Sequence, residues 1–91
     1  MLHADIYFMQ VIGVSPEAGF TISCQDIPVT ERALMSIATR TVALCEAANL
    51  GRSTYRIIAG FDSIGSLITD SQADENYVSK LREEGLNVMM P

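Results

Sequence analysis

The segment that most constrains the fold is residues 4–14, ADIYFMQVIGV, because both of its alternating faces are apolar. Ile6, Phe8 and Ile12 fall on one face of an extended chain, whereas Tyr7 and Met9 fall on the other. A strand of this kind is typical of a sheet interior or of a surface that meets a partner. The sequence therefore predicts a sheet protein whose first strand is covered on both faces.

Turn residues separate this strand from a second one. The segment SPEAG at 15–19 has turn chemistry, and FTISCQDI at 20–27 alternates apolar with polar residues. The two strands are predicted to form a hairpin.

A long helix is predicted to follow, from Thr30 to a left-handed glycine at Gly51. Apolar residues and small residues recur at intervals of three and four along it, at Leu34, Ile37, Thr41, Leu44 and Ala48. Leu44 is expected to face the sheet, and Arg40 is expected to lie outward on the opposite side.

The remaining elements are two strands at 54–60 and 63–69, a helix from Ser71 to Glu84, and a last strand at 86–90. Asp70, Asp74 and Glu75 are expected to stabilise the N-terminus of that second helix. The order ββαββαβ predicts an α+β fold: a two-layer sandwich with a mixed sheet of four to five strands and two helices on one face. Residues 1–91 are expected to form a single small α/β domain.

The charge distribution bears on partners. The net charge is −5, which disfavours general nucleic-acid binding because such binding depends on Lys and Arg. Residues 29–60 nevertheless carry more basic than acidic groups, whereas residues 61–91 are acidic. No apolar run is long enough to span a membrane and no secretory signal is evident, so we expect a cytoplasmic protein without membrane association.

A glycine pair raises the question of phosphate binding. Gly60 and Gly65 have the spacing of a phosphate loop, but Ser66 and Leu67 stand where its Lys and hydroxyl residue should be. A hairpin between two strands is the preferred interpretation.

The sequence offers no catalytic or metal-binding set. Cys24 and Cys45 fit no zinc pattern and are expected to be reduced, and His3 is the only histidine. We therefore predict no enzymatic activity, no metal and no cofactor.

The stretch GRSTYR at 51–56 is the best candidate for ligand contact. Arg52, Ser53 and Arg56 could hold a phosphate or carboxylate with charged and hydroxyl donors. The alternative is that Arg52 only complements the preceding helix end while Arg56 points outward from a strand. Arg40 joins these residues as a candidate binding residue.

Two short resemblances can be identified. The segment GFTISCQDIP resembles the second strand of HicB-type antitoxins, without the Gly-x-Thr helix entry of that family. The segments SPEA, CEAANLG and YRIIAGFDSIGS resemble the ββαβ body of histidine-triad nucleotide-binding proteins. Hydrolysis is not implied, since that family's alternating histidines are missing, and neither resemblance defines a family.

These observations favour a non-enzymatic small acidic regulator or inhibitor that acts through protein–protein contact and self-associates as a homodimer. The alternative is a small-ligand, nucleotide or anion-binding domain that uses residues 51–56.

Overall fold

The computed structural model describes residues 3–23, 28–53 and 56–91. Its elements are β1 (Ala4–Gln10), β2 (Gly13–Ser15), β3 (Gly19–Thr21), α1 (Pro28–Ile37), β4 (Ala38–Leu44), β5 (Ile57–Ala59), β6 (Ser66–Ile68), α2 (Glu75–Glu83) and β7 (Asn87–Met89). A short 3-10 turn, Ala47–Asn49, follows β4.

The strands divide between two sheets. Four form a parallel sheet in the order β1-β4-β6-β7, and three form an antiparallel sheet in the order β2-β3-β5. The α+β class and the two helices are confirmed. The predicted single mixed sheet is instead this pair of sheets.

The core lies on one face of the parallel sheet. That face contributes Met9, Ala43, Leu67 and Val88 to the buried apolar cluster. The antiparallel sheet contributes Val14, Phe20 and Ile58, and α2 contributes Val78 and Leu81. The ring of Phe20 also packs against that of Phe61, with the centroids 5.3 Å apart. The smaller sheet and α2 therefore share one buried side of the larger sheet.

The predicted long helix is wrong beyond Ile37, because residues 38–44 form strand β4. Thr39, Thr41 and Val42 are β-branched, which favours an extended chain. β4 pairs with β1 on one side and with β6 on the other, so its backbone groups are satisfied in the sheet interior. Leu44 therefore belongs to a strand, not to the middle of a helix.

The first predicted strand is divided as well. β1 enters the parallel sheet, whereas β2 pairs with β3 across the turn at 16–18, so the predicted hairpin is confirmed in this shorter form. Gly19 has a φ of 75°, and an added Cβ would collide with the carbonyl oxygen of Ala59. A glycine is required there, where β3 passes close to β5. Residues 24–27 of the second predicted strand, including Cys24, lie outside the described residues.

The predicted hairpin around Gly60 and Gly65 is wrong, since β5 and β6 belong to different sheets. A turn at 61–63 connects them, and the Gly60 carbonyl accepts hydrogen bonds from the amides of Ser63 and Ile64 at 3.2 Å each. The segment thus carries the chain from one sheet to the other.

The second helix begins later than predicted. Asp74 is the N-cap residue of α2, and its side chain accepts a hydrogen bond from the Asn76 amide at 3.4 Å. Gly85, with a φ of 95°, follows the helix as expected of a left-handed terminating residue. Among the described residues, neither helix is long and apolar enough to cross a bilayer.

Candidate functional site at the carboxyl edge of the parallel sheet

The parallel strands bring their carboxyl ends to one edge, where a cleft opens. β1, β4 and β6 end at Gln10, Leu44 and Ile68, which are register partners across the sheet. The cleft has a volume of about 450 Å³ and is lined by Gln10, Leu44, Cys45, Glu46, Ile68, Thr69, Asp70 and Pro91. Such an edge is the usual place for ligand sites in parallel sheets.

The backbone ladder extends just past the strands and fixes these residues. The amide of Val11 donates to the Leu44 carbonyl at 2.9 Å, and the amide of Cys45 donates to the Ile68 carbonyl at 3.1 Å. The Thr69 amide donates to the Met89 carbonyl at 3.1 Å. The floor of the cleft is therefore held by main-chain hydrogen bonds.

Asp70 joins the two loops that rim the cleft. One carboxylate oxygen accepts a hydrogen bond from the Ala47 amide at 3.0 Å, and the other accepts from the Gln72 amide at 2.9 Å. The bond from Ala47, followed by that from Gln72, holds the pKa of the Asp70 carboxyl below its ordinary value. Asp70 is therefore a positioning residue with a negative charge at the rim.

Cys45 is a buried thiol beneath the same rim. Burial raises its pKa to about 11, with smaller contributions from the charges of Glu46 and Asp70. Its Sγ lies 3.5 Å from the Glu46 carbonyl oxygen, as a donor. A thiol in this state is protonated at neutral pH, so it contributes to packing rather than to nucleophilic chemistry.

Thr69 carries a buried hydroxyl that has no hydrogen-bond partner among the described residues. The residue is only 4% exposed, yet it lines the cleft. A buried hydroxyl without a partner costs free energy. The oxygen itself is shielded from solvent, so a molecule in the cleft would reach it only after the Thr69 side chain rotates. The lining is mostly apolar, and its carboxylates are those of Glu46 and Asp70.

The predicted binding residues lie elsewhere. Arg40 is exposed in β4, on the larger sheet. Arg52 and Ser53 are exposed just after Gly51, and Arg56 precedes β5 of the smaller sheet, where its carbonyl accepts from the Ile22 amide at 3.0 Å. A role for these four residues stays a prediction, as do the absences of metal, cofactor and catalytic residues.

Sequence reasoning missed Thr69 and Cys45 as cleft residues, and it assigned Asp70 to the helix terminus. The signal was present in the polar residues that directly follow apolar strands. This signal can be interpreted only when residues 38–44 are recognised as a strand, because the carboxyl edge of the parallel sheet forms only when β4 is part of the sheet.

No protein-family model matches the chain. A search of curated proteins finds similarity to the HTH-type transcriptional repressor GlcR of Bacillus subtilis (strain 168), with 26% identity over 88 residues. The match covers 97% of this chain but 34% of the repressor, so the chain spans about a third of that relative's length.

This similarity corrects two predictions. The prediction of an inhibitor acting through protein contact is wrong, because the similar protein is a transcriptional repressor. Anion binding by residues 51–56 is not tested by this similarity. The partner prediction is wrong for the same reason where it excludes nucleic-acid binding, whereas self-association as a homodimer stays a prediction. The expectation of no nucleic-acid binding was based on the net charge. A net charge is a sum over the whole chain, so it does not describe the excess of basic residues in 29–60.

Proposed function

We propose that this chain acts in transcriptional repression, as part of a regulator that binds DNA. The observation that carries the proposal is the similarity to a repressor along nearly the whole chain. Because that similarity involves only a third of the repressor, we assign the chain a component of the regulatory function. A cytoplasmic location and the lack of enzymatic activity belong to this proposal.

Chromatin immunoprecipitation of the chain, tagged at its native locus, tests the proposal. We expect enrichment at a small number of promoters, and we expect transcripts from those promoters to increase when the gene is deleted. Complementation with the wild-type gene is the control and should restore repression. Deletion without any increase in transcripts from an enriched promoter, or no enrichment at all, would refute a role in repression.

The carboxyl-edge cleft favours a second candidate function within the same regulator. We propose that it binds an uncharged or cationic hydroxyl-bearing molecule that controls repression, because the Thr69 hydroxyl is buried at the cleft without a partner among the described residues. This site is separate from the one predicted at residues 51–56.

Thermal shift measurements with a panel of sugars, polyols and amino alcohols test the cleft. A ligand at 100 times its dissociation constant adds about 2.7 kcal/mol to stability, which is readily detected. We expect Thr69→Val, which removes the hydroxyl but keeps the shape, to abolish the shift. Thr39→Val, at an exposed position of β4, is the matched control and should retain it. An equal shift in both variants would place the binding elsewhere.

A further inference from the structure

The parallel sheet has a second face, opposite the core, that also carries apolar side chains. Side chains alternate along each strand, so the neighbours of the core residues point to this other side. We call it the outer face, and it consists of Ile6, Phe8, Arg40, Val42, Leu44, Ile68 and Met89. In the sheet register, Phe8 lies beside Val42, whereas Leu44, Ile68 and Met89 form the adjoining row.

None of these apolar residues belongs to the core cluster or packs against it in the described part of the chain. Phe8 is 53% exposed and Ile6 is 42% exposed. Val42, at the centre of the face, is buried, and Leu44, Ile68 and Met89 are half-buried. The outer face is therefore apolar across the sheet, and its exposed apolar part consists of Ile6 and Phe8 on the edge strand β1.

Parallel sheets are found almost only where both faces are covered, usually by helices. We propose that the outer face is the docking site of an amphipathic α-helix, or of two adjacent helices, belonging to the remaining polypeptide of a repressor-like regulator. This inference rests on the proposed function. It follows from the size of the match, since about two thirds of the similar repressor lies outside the segment that resembles this chain.

The dimensions and the charge of the face fit that occupant. Four strands spaced about 4.8 Å apart give a surface about 14 Å wide, and a helix with side chains has a diameter of about 10 Å. Arg40 is exposed at one end of the face, beside Ile6. The docked helix is therefore expected to combine an apolar stripe with a Glu or Asp opposite Arg40.

Peptides can test the docking directly. The part of the Bacillus subtilis repressor outside the matched segment is divided into overlapping peptides of about 25 residues, and each is added to the isotope-labelled chain. We expect one or two peptides to become helical and to shift the amide resonances of Phe8, Val42 and Ile68. Phe8→Glu should weaken binding about tenfold or more, because it removes buried apolar area.

Further variants serve as controls for this result. Val29→Glu changes an apolar residue of α1 that is 75% exposed and lies outside the outer face, so it should leave binding unchanged. Arg40→Glu should weaken binding, and Arg40→Lys should largely retain it. If Phe8→Glu fails to fold, Ile6→Glu replaces it, since that residue is also exposed.

Three outcomes would overturn the docking proposal. No binding by any peptide would do so, as would binding of an extended peptide along the free edge of β1. A homodimer in light scattering that dissociates in Phe8→Glu would make a second copy the occupant. None of these outcomes depends on promoter occupancy. If the chain represses transcription but no helix docks, only the docking proposal is refuted. If a helix docks but the chain does not repress transcription, only the proposed function is refuted.

Discussion

At the scale of single residues, two leucines in the two helices show how unevenly the core is distributed. Leu81 of α2 is completely buried, whereas Leu34 of α1 is 38% exposed. We expect Leu81→Ala to lower the free energy of unfolding by about 2–5 kcal/mol, from lost transfer energy and an incompletely filled cavity. Leu34→Ala should cost much less, about 0.5 kcal/mol. Urea denaturation measures both, and equal losses would contradict the observed packing of α2.

Asp70 provides a pH-dependent prediction. Its pKa is lowered in the folded chain by hydrogen bonds from the Ala47 and Gln72 amides. A lowered pKa contributes stability above the pKa of the unfolded chain, and this contribution is lost as the pH falls through the folded value. Asp70→Asn should therefore be less stable than the wild type at pH 7, with a smaller difference near pH about 3.

The matched control for this experiment is Asp62→Asn, at an exposed aspartate of the 61–63 turn. Chemical denaturation at both pH values should show no comparable dependence for it. A stability difference between the wild type and Asp70→Asn that grows on acidification would have the wrong sign.

The acidic residues also show what the sequence could reveal at this scale. Asp74 and Glu75 lie at the start of α2 as predicted, because capping and dipole effects act over neighbouring residues. The hydrogen bond from Ala47 to Asp70 joins residues 23 positions apart. A contact of that kind depends on the sheet register, which local patterns do not encode.

At the scale of elements, residues 28–44 explain the main error in the predicted fold. ATRTVAL continues the three-and-four spacing of the preceding helix, but it is equally a short apolar run of strand length. The density of Thr and Val favoured a strand, and pairing on both sides decided the outcome. Periodicity alone could not distinguish the two states, so β4 and the carboxyl-edge cleft were both missed.

The start of α2 gives a prediction at the same scale. The sequence indicated a helix that begins at Ser71, whereas the structure assigns the N-cap to Asp74. Asp74→Ala should destabilise the protein by about 1 kcal/mol, since it removes the acceptor for a free helix amide. Ser71→Ala, in the preceding turn, should change stability by less than about 0.5 kcal/mol. Thermal denaturation of both variants distinguishes the two possible caps.

At the scale of the whole molecule, the doubly apolar first strand proved informative. The prediction that it has apolar neighbours on both faces holds for the core side, where Met9 is buried. On the other side, Ile6 and Phe8 are exposed at the edge of the sheet. The sequence therefore indicated that both faces of β1 are apolar. It could not indicate which of the two faces is buried by other residues of this chain.

The exposed side chains of Ile6 and Phe8 on the outer face should be detectable with a dye. We expect the native chain to bind anilinonaphthalene sulfonate, and we expect the combined change Ile6→Lys and Phe8→Lys to reduce the fluorescence strongly without unfolding the protein. Val29→Lys changes a similarly exposed residue on α1 and should retain the signal. Undiminished fluorescence in the double variant would show that the dye binds another surface.

The parallel register has a further consequence for synthesis on the ribosome. Ala4 pairs with Ala38, Val42 pairs with Ser66, and Ser66 pairs with Asn87. Each of these strands can therefore pair only after a segment more than 20 residues further along has been translated. Pairings between distant positions slow folding, because loop closure must precede the contacts that reward it. While β4 is still being made, the nascent β1 exposes apolar side chains on both sides. That interval is when a molecular chaperone would have most to contribute to the yield of this protein.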